Sequence, residues 1–495
     1  ALPGVAQRIG AAVDSHVGAI SADGARRWLY RNRIEGTFSR TAKPWMVLLD
    51  SGAAAAPAQG VLTLRVMGDP DEEAPIAGPY QEKNPNVKLE FIAVTGIDHE
   101  EVASKILSMI AAGQTIDIGY AATEALQLYA GQELSYPLDE FVQRDSADMA
   151  EYFADVHPSL IQAMMYEGGL YEMPFDFNAA NMYYNTALYK ENGLTAPPSE
   201  WTKDDFLTNA TAISKKDDQG RPTVFGYGWT NRLWGSWMPW IFVNEGNLFK
   251  QEEAPGGEWL WGTFYKDDPA AKGRGGGYRW QTPTANAPEV VEALDLVVKM
   301  TADGIAPTIE LGGGQSLQGF FADNKLGMTP AGGFWAGGLA NAGFPKGSFD
   351  VQLFPKWKSQ RHQFGTGGQW MAAAGEHKDD AWNYMKYRIS KEAMNAWYGA
   401  NGIITTPSRR SMLTPEAFAN TGPEHWQVFY DTLDKHPDTA PIPAPPISNP
   451  MTTLFTNYTA RAMTGEMTPQ AAMDGLQKEL EDLVARSQDI MYPQQ

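Results

Sequence analysis

The sequence predicts an α/β fold, because runs typical of strands and of helices alternate along the chain. Apolar residues alternate in Val61–Met67 and again in Val87–Val94, and this period of two is typical of strands. Before a third short strand at Ile116–Tyr120, residues 98–113 carry a helical apolar stripe, with Asp98 as the capping residue. Such alternation predicts a sheet whose strands are joined by crossover connections.

The same kind of pattern continues in the second half of the chain. Apolar spacing predicts helices at 287–303 and 378–399, and Thr468 followed by Pro469 predicts the start of the last helix. Residues 251–282 are rich in glycine, charged and aromatic residues. We therefore expect an inserted hairpin or loop there, and not core.

The first 60 residues differ from the rest. Residues 1–50 hold seven basic and four acidic residues, whereas the whole chain has a net charge of -20. We expect one or two short helices there, followed by a linker of small residues at 51–60. The first residues do not resemble a signal peptide, and Arg26–Arg27 is followed by polar residues, unlike the pair in a twin-arginine signal.

Composition excludes several classes of function. A net charge of -20 disfavours binding to nucleic acids and to anionic membranes, both of which attract basic surfaces. The absence of cysteine excludes disulfides, thiolate metal sites and cysteine nucleophiles. No phosphate-binding loop, zinc helix or nucleophile elbow is present, and the seven histidines are scattered singly, so we expect neither a metal nor a cofactor. No apolar run approaches the roughly 20 residues that span a bilayer.

Four carboxylates directly follow the first predicted strand, namely Asp69, Asp71, Glu72 and Glu73. They could form a solvated loop whose charge favours a helix N-terminus. They could instead accept hydrogen bonds from ligand hydroxyls, since open α/β sheets bind ligands at strand ends. A calcium site is a third interpretation, although the spacing and glycine of an EF-hand are missing.

Aromatic residues point to a class of ligand. The chain has 16 Trp, 20 Tyr and 21 Phe, and a flat indole packs well against the apolar face of a sugar ring. We expect Trp237 and Trp240 in the core. We expect Trp335 and Trp370 in a ligand site, because the glycines that flank them predict loops and close backbone approach.

Four stretches, in a shared order across residues 61–490, resemble the extracellular solute-binding proteins of ABC importers, family 1, which include maltose-binding protein. Residues 1–60 and the insertion near 251–282 lie outside the family's common core. The stretches are the opening strand and acidic loop at 62–72, a helix and an Asp-containing strand within 105–142, a Gly–aromatic–Pro, Tyr-Asn and Pro-x-x-Trp series at 166–206, and paired glycines, a helix and a Pro–Arg segment at 365–413.

The resemblance implies a two-lobed fold of the type II periplasmic binding proteins, with a ligand cleft between the lobes and several hinge crossings. By position, lobe one should contain 61–175 and 369–410, and lobe two should contain 180–365 and 414–490. It also implies a monomer in the periplasm or at the cell surface. This monomer would capture a sugar or oligosaccharide by lobe closure and deliver it to permease subunits, without chemistry.

The resemblance further implies ligand-binding residues, most of them in loops at strand ends. Arg409 could equally be a structural ion-pair partner. The implied set is Asp69, Glu72, Tyr120, Thr123, Glu124, Asp176, Asn178, Asn231, Arg232, Trp234, Gly333, Trp335, Trp370 and Arg409.

Two other functions compete with this interpretation. A glycosidase also needs aromatic residues, together with two carboxylates about 5–10 Å apart, and Asp69, Glu124 and Asp176 could be recruited. A binding protein for a non-sugar such as a polyamine or peptide is the second competitor, because the acidity of the chain permits an acidic pocket. The tryptophan clusters favour the sugar.

Overall fold

A computed structural model describes most of the chain. The chain divides into two compact units, Ala1–Leu62 and Thr63–Gln495. All of the site residues predicted above belong to the second unit. The described residues are 61–96, 99–309, 314–402, 405–417 and 422–492, together with five strands between residues 12 and 47.

The first unit contains strands, so the prediction of short helices there was wrong. Strands β2, β3 and β4 form an antiparallel sheet, and β1 pairs with β5 in parallel. The β-branched residues of β2 and β4 favour strands, and no 3.6-residue apolar repeat opposes them. The predicted linker at 51–60 lies outside the described residues. The strands are β1 (Ala12–Asp14), β2 (Val17–Ser21), β3 (Gly24–Leu29), β4 (Ile34–Phe38) and β5 (Trp45–Val47).

The second unit is built on two mixed sheets and two small hairpins. Its strands are β6 (Leu62–Met67), β7 (Val87–Ile92), β8 (Ile118–Ala122), β9 (Ser135–Tyr136), β10 (Met165–Tyr166), β11 (Gly169–Leu170), β12 (Glu172–Ala179), β13 (Asn181–Asn185), β14 (Lys215–Lys216), β15 (Pro222–Tyr227), β16 (Phe249–Glu253), β17 (Tyr278–Pro283), β18 (Leu326–Ala331), β19 (Phe349–Gln352), β20 (Gln363–Ala372), β21 (Thr406–Pro407) and β22 (Ala440–Pro441).

Helices cover both sheets. No helix in the described part of the chain is long and apolar enough to cross a membrane. The helices are α1 (Pro70–Lys83), α2 (His99–Ala111), α3 (Thr123–Gly131), α4 (Asp139–Arg144), α5 (Ser146–Phe153), α6 (Pro158–Ala163), α7 (Thr186–Glu191), α8 (Lys203–Ile213), α9 (Met238–Val243), α10 (Glu258–Phe264), α11 (Pro288–Ala302), α12 (Gly314–Ala322), α13 (Phe334–Asn341), α14 (Lys378–Arg388), α15 (Lys391–Asn401), α16 (Val428–Asp434), α17 (Ser448–Met463) and α18 (Pro469–Arg486).

The larger sheet has eight strands, and β20 lies at its centre. The strand order is β21-β12-β20-β8-β6-β7, with β9 and β22 also paired to β20. All ten residues of β20 are buried. Both long neighbours run antiparallel to β20, and this pairing sets Asp176 of β12 opposite Gly367.

The smaller sheet has five strands in the order β14-β15-β18-β13-β19. Strands β15 and β18 run parallel, whereas β13 runs antiparallel to both of its neighbours. The loops after β15 and β18 therefore leave the sheet at the same edge, and both carry residues of the site described below.

Local chemistry accounts for several helix boundaries that the sequence predicts. Asp69 caps α1, because its carboxylate accepts hydrogen bonds from the backbone N–H groups of Asp71 and Glu72 at 2.9 and 3.3 Å. Thr468 caps α18, with Pro469 at the first helical position. The start of α18, and α11 within the expected range 287–303, confirm these two predicted helices, and the predicted capping residue Asp98 lies outside the described residues.

The single helix predicted at 378–399 was wrong, since the structure has two helices, α14 and α15. Ser390 adopts an extended conformation between them, and its hydroxyl accepts a hydrogen bond from Ala393 N–H at 3.2 Å. Serine is among the preferred N-cap residues, and it ends one apolar stripe and begins the next.

Each large sheet, with the helices packed on it, forms one α/β lobe. We refer to the lobe of the eight-stranded sheet as lobe one and to the other as lobe two. The chain first crosses between them at Ala180, whose N–H donates to the carbonyl of Gln363 at 2.9 Å. The predicted lobe boundaries stay a prediction. The first residues of β20, and the whole of β22, fall in ranges that we expected in lobe two. The structure places both strands in the lobe-one sheet.

Candidate ligand-binding cleft

Two adjoining cavities lie at the strand ends of the lobes. The first, of about 240 Å³, is lined from both lobes, with Glu124 on one side and Trp234 and Phe334 on the other. The second, of about 390 Å³, lies against lobe one. Tyr120 and Asp176 line both cavities and therefore form their common wall.

The common wall depends on one glycine. Asp176 of β12 accepts a hydrogen bond from the backbone N–H of Gly367 at 3.0 Å, and the Tyr120 hydroxyl lies 3.4 Å from the second carboxylate oxygen. A Cβ atom at residue 367 would lie 2.2 Å from the Tyr120 hydroxyl and 2.8 Å from the Asp176 carboxylate. Only glycine therefore leaves room for this pair.

Burial raises the pKa of Asp176 to about 7. The Gly367 N–H, the Arg388 charge and the Tyr120 hydroxyl lower it, and the neighbouring Glu124 raises it further. The residue is 5% exposed. This carboxyl group can therefore change protonation near neutral pH while it faces a ligand in either cavity.

Two further buried glutamates lie near Asp176. Glu124, the second residue of α3, accepts a hydrogen bond from the Thr123 hydroxyl at 3.0 Å, so Thr123 positions this carboxylate. Glu172 of β12 is 1% exposed, and burial, followed by the charge of Glu124, raises its pKa well above the ordinary range. Glu124 and Asp176 therefore both line the first cavity, whereas Glu172 lines neither cavity.

An aromatic pair from lobe two faces these carboxylates. The rings of Trp234 and Phe334 lie 5.8 Å apart at 47°, and the Arg232 guanidinium lies 5.6 Å from the Trp234 ring. Trp234 belongs to a tight turn in which Gly235 has φ = +68° and donates its N–H to the Gln363 side chain at 2.9 Å. A residue with a Cβ would be strained at that φ.

The second cavity contains a buried ion pair. Arg388 of α14 pairs with Glu73 at 3.3 Å and lies over the rings of Phe175 and Trp397 at 4.2 and 4.8 Å. Burial, and then the charges of Asp69 and Glu73, raise the pKa of Glu72. Asp69 caps a helix, which confirms the first interpretation of the acidic loop. It also lines the second cavity, and its contact with ligand hydroxyls stays a prediction.

The structure brings most of the predicted site residues to these two cavities. Their contact with a ligand stays a prediction. The predicted residues that line a cavity are Asp69, Glu72, Tyr120, Glu124, Asp176, Asn178, Arg232 and Trp234.

The structure contradicts the placement of Trp335 in the cleft. Its ring packs edge-on against Tyr183 at 5.5 Å and against Phe321 at 5.3 Å, in the core of lobe two. The segment is the first turn of α13 and not a loop, so successive side chains point about 100° apart. Phe334, one residue earlier, lines the cavity instead.

Trp370 is likewise a core residue. It lies within β20, is 0% exposed, and packs 5.1 Å from the ring of Tyr129. Its indole covers Gly119, where a Cβ atom would lie 2.1 Å from the ring. The neighbouring glycines therefore serve strand packing, and the loop that they predicted is absent at this position.

Three other predicted residues have structural contacts. Arg409 pairs with Glu151 at 2.8 Å and with Asp155 at 3.0 Å, which confirms its alternative interpretation as an ion-pair partner. Asn231 accepts hydrogen bonds from Trp237 and Thr459 at 2.9 and 2.7 Å and does not line either cavity. Gly333 precedes α13, where a Cβ atom would lie 2.0 Å from the Thr406 hydroxyl.

Sequence reasoning missed several cavity residues. Arg388 had a recognisable signal, because it lies three residues after Met385 and seven after Ala381 on the buried face of α14. A charged residue on an apolar helix face needs a partner or a function. Nothing local marks Gln369 or Trp397, which reach the second cavity through tertiary packing.

Carboxylates, amides and aromatic rings on opposite walls of one cleft suit a polyhydroxylated solute. Hydroxyls would bind the polar wall, and apolar ring faces would stack on Trp234 and Phe334. Two α/β lobes that enclose such a cleft define a two-lobed solute-binding protein.

The chain belongs to the family of bacterial extracellular solute-binding proteins, whose family model matches residues 76–424. This confirms the resemblance stated from the sequence. A binding protein of Brucella abortus is 21% identical over 317 residues, which cover 63% of this chain and 67% of that protein.

Solved structures confirm the two-lobed fold. An ABC substrate-binding protein of Listeria monocytogenes, in complex with cycloalternan, is 18% identical, with a TM-score of 0.69 over 86% of this chain and 98% of that chain. The maltose-bound MalE3 of T. maritima is 16% identical, with a TM-score of 0.66 over 85% of this chain and all (100%) of that chain.

The adjacent residues Phe334 and Trp335 allow a matched test. Trp335→Ala should lower the free energy of unfolding by about 3–5 kcal/mol, because it opens a cavity in the lobe-two core. Phe334→Ala should leave the ligand-free melting temperature nearly unchanged and weaken solute binding by about 2 kcal/mol or more. Calorimetric titration and thermal unfolding of both variants measure these effects. If Trp335→Ala instead weakens solute binding and leaves the melting temperature unchanged, Trp335 belongs to the cleft and this placement is wrong.

Asp176 should make stability depend on pH. Its pKa rises from about 3.9 in an unfolded chain to about 7 in the fold, so its protonated form stabilises the protein at low pH. That contribution, about 4 kcal/mol at most, is lost as the pH rises from about 4 through 7. Relative to Asp176→Asn, the ligand-free wild-type protein should therefore become less stable over this range in urea unfolding. A pH-independent difference would contradict this assignment.

Proposed function

We propose that the chain is the substrate-binding component of an ABC importer and that it captures a saccharide by lobe closure. The observation that carries this proposal is the first cavity, in which an aromatic pair from lobe two faces buried carboxyl groups from lobe one. Lobe one supplies polar groups that can bind sugar hydroxyls, and lobe two supplies aromatic rings that can stack on the apolar face of a sugar. Closure would complete the site and exclude water from its hydrogen bonds.

The common wall points to a solute longer than one ring. The first cavity, at about 240 Å³, is smaller than the roughly 300–1,000 Å³ of ordinary small-molecule sites. Tyr120 and Asp176 also face the second cavity, where Asp69, Glu72 and Gln369 offer further acceptors. A saccharide of at least two rings could place one ring on the aromatic pair and another beside Asp69.

The related structures support a carbohydrate ligand. Solved proteins of similar fold are described in complex with cycloalternan, with maltose and with alpha-D-tagatose. The family consists of binding proteins, and this supports release of the saccharide unchanged. Membership of an extracellular family supports a location in the periplasm or at the cell surface, where the chain would act as a monomer and deliver its solute to permease subunits.

A thermal-shift and titration series tests the class and the length of the solute. The probes are glucose, maltose, maltotriose, mannitol and spermidine. Since only the native state binds, a true solute raises the melting temperature. We expect a di- or trisaccharide to bind at least tenfold more tightly than its monosaccharide, a difference of about 1.4 kcal/mol.

Two controls make the series decisive. Phe334→Ala should lose the shift, whereas Phe320→Ala, which alters a half-buried phenylalanine of α12 outside both cavities, should keep it. Chromatography should recover the saccharide unchanged after long incubation. A response to spermidine alone would establish a cationic solute, and product formation over many turnovers would establish a glycosidase. Either outcome would overturn the proposal.

A further inference from the structure

The two strands of the β16–β17 hairpin are joined by a long loop, residues 254–277, which we call the hairpin loop. The base of the hairpin, at Pro283, is attached to lobe two, whereas at its far end the carbonyl of Tyr278 accepts a hydrogen bond from the Gln127 side chain of α3 in lobe one at 2.7 Å. The Gln477 side chain of α18 donates to the carbonyl of Pro283 at 3.0 Å and accepts from Ala285 N–H at 2.7 Å. Helix α11 packs on α18, and the turn that follows α11 is bound to β15 by a hydrogen bond from Tyr227 N–H to the carbonyl of Ile305 at 3.1 Å.

The hairpin loop itself binds lobe one. The Arg274 guanidinium donates to the side chains of Gln162 and Ser159 on α6 at 2.5 and 2.6 Å. The Trp259 indole N–H donates to the carboxylate of Asp139, at the start of α4, at 3.0 Å. Helix α6 packs directly against β12 and β20, so these contacts reach the centre of the lobe-one sheet.

Aromatic stacking adds to these polar contacts. Phe264, the last residue of α10, stacks on Phe153 of α5 with ring centroids 4.1 Å apart and an interplanar angle of 23°. The next residue, Tyr265, donates its hydroxyl to the carbonyl of Val156 at 3.0 Å. Two adjacent residues of the loop thus bind lobe one, Phe264 through aromatic stacking and Tyr265 through a hydrogen bond.

Glycines allow the two backbones to touch. Gly168, in the β10–β11 turn of lobe one, donates its N–H to the carbonyl of Gly276 at 3.0 Å. A Cβ atom at residue 276 would lie 2.4 Å from the Cα of Gly168 and 2.3 Å from the carbonyl oxygen of Pro255. Backbone groups are rigid, so a side chain there would force the hairpin loop away from lobe one.

We propose that the hairpin loop is a strap, rooted in lobe two and fastened to lobe one, that limits how far the cleft opens. Hinge motion separates the lobes about the crossing segments, and a second attachment at another place must stretch or detach for a wide opening. The strap therefore favours the closed arrangement before solute binds. This lowers the conformational cost of capture and slows release. The inference goes beyond the proposed function and holds for any solute.

The test measures opening without any solute, so its failure would leave the proposed function standing. Because the chain has no cysteine, spin labels can be placed cleanly at Lys88→Cys in β7 and Gln219→Cys in the β14–β15 turn, both at exposed positions, one in each lobe. Pulsed electron paramagnetic resonance then reports the distribution of distances between the lobes in the full chain.

Two strap variants and one matched control are compared in that labelled background. Gly276→Val introduces a steric clash with the backbone of Gly168. The double variant Trp259→Phe with Arg274→Met introduces no such clash and removes three hydrogen bonds to lobe one. Gly262→Val is the control, because it lies exposed in α10 and a Cβ atom there meets nothing within 4 Å.

The ratio of wide to narrow separations should rise roughly tenfold or more in both strap variants, since each lost hydrogen bond contributes on the order of 1 kcal/mol. It should not change in the control. If Gly276→Val fails to fold, the double variant decides. Unchanged distances in a folded double variant, with a melting temperature like that of the wild type, would overturn the strap.

Discussion

The contact between Asp176 and Gly367 is the constraint on which the cleft depends. It fixes the register of β12 against β20, two paired strands in which every residue except Asn178 is buried. The same contact leaves the Asp176 carboxylate facing two cavities, with the Tyr120 hydroxyl beside it. Any side chain at residue 367 would collide with both groups, so the core packing and the site require the same glycine.

That arrangement has an energetic cost in the ligand-free protein. Burial of Asp176 and Glu172 raises the pKa of each carboxyl group, and so a charged carboxylate is disfavoured there. A solute that donates hydroxyl hydrogen bonds would offset part of the cost for Asp176. The buried carboxyl groups therefore lower the stability of the ligand-free protein and provide hydrogen-bonding groups for a bound solute. Such a compromise is typical of binding sites.

The sequence predicted elements that rest on local chemistry. The capped start of α18 at Thr468 and Pro469, the alternation of β6 and the acidic loop after it all depend on neighbouring residues. The family resemblance then located eight cavity residues by their positions in the matching stretches. The strands of the first unit were missed, because charge and composition do not distinguish a short helix from a hairpin.

The failures within the site have a common physical cause. Trp335 and Phe334 are adjacent, and only the helical phase of α13 decides which ring meets the cleft. Trp370 was assigned to a loop by its glycines, whereas those glycines admit neighbouring side chains to a buried strand. Trp397 reaches the second cavity from α15, a helix that is distant in sequence from the acidic loop on another wall of that cavity. Such positions follow from tertiary packing, which local spacing does not encode.

A crystal structure of the chain with the saccharide that most raises its melting temperature tests the central claim most directly. We expect one sugar ring against Trp234 and Phe334 and a sugar hydroxyl within hydrogen-bond distance of the Asp176 carboxylate. A saccharide bound outside the two cavities, or one that leaves Asp176 without contact, would contradict it.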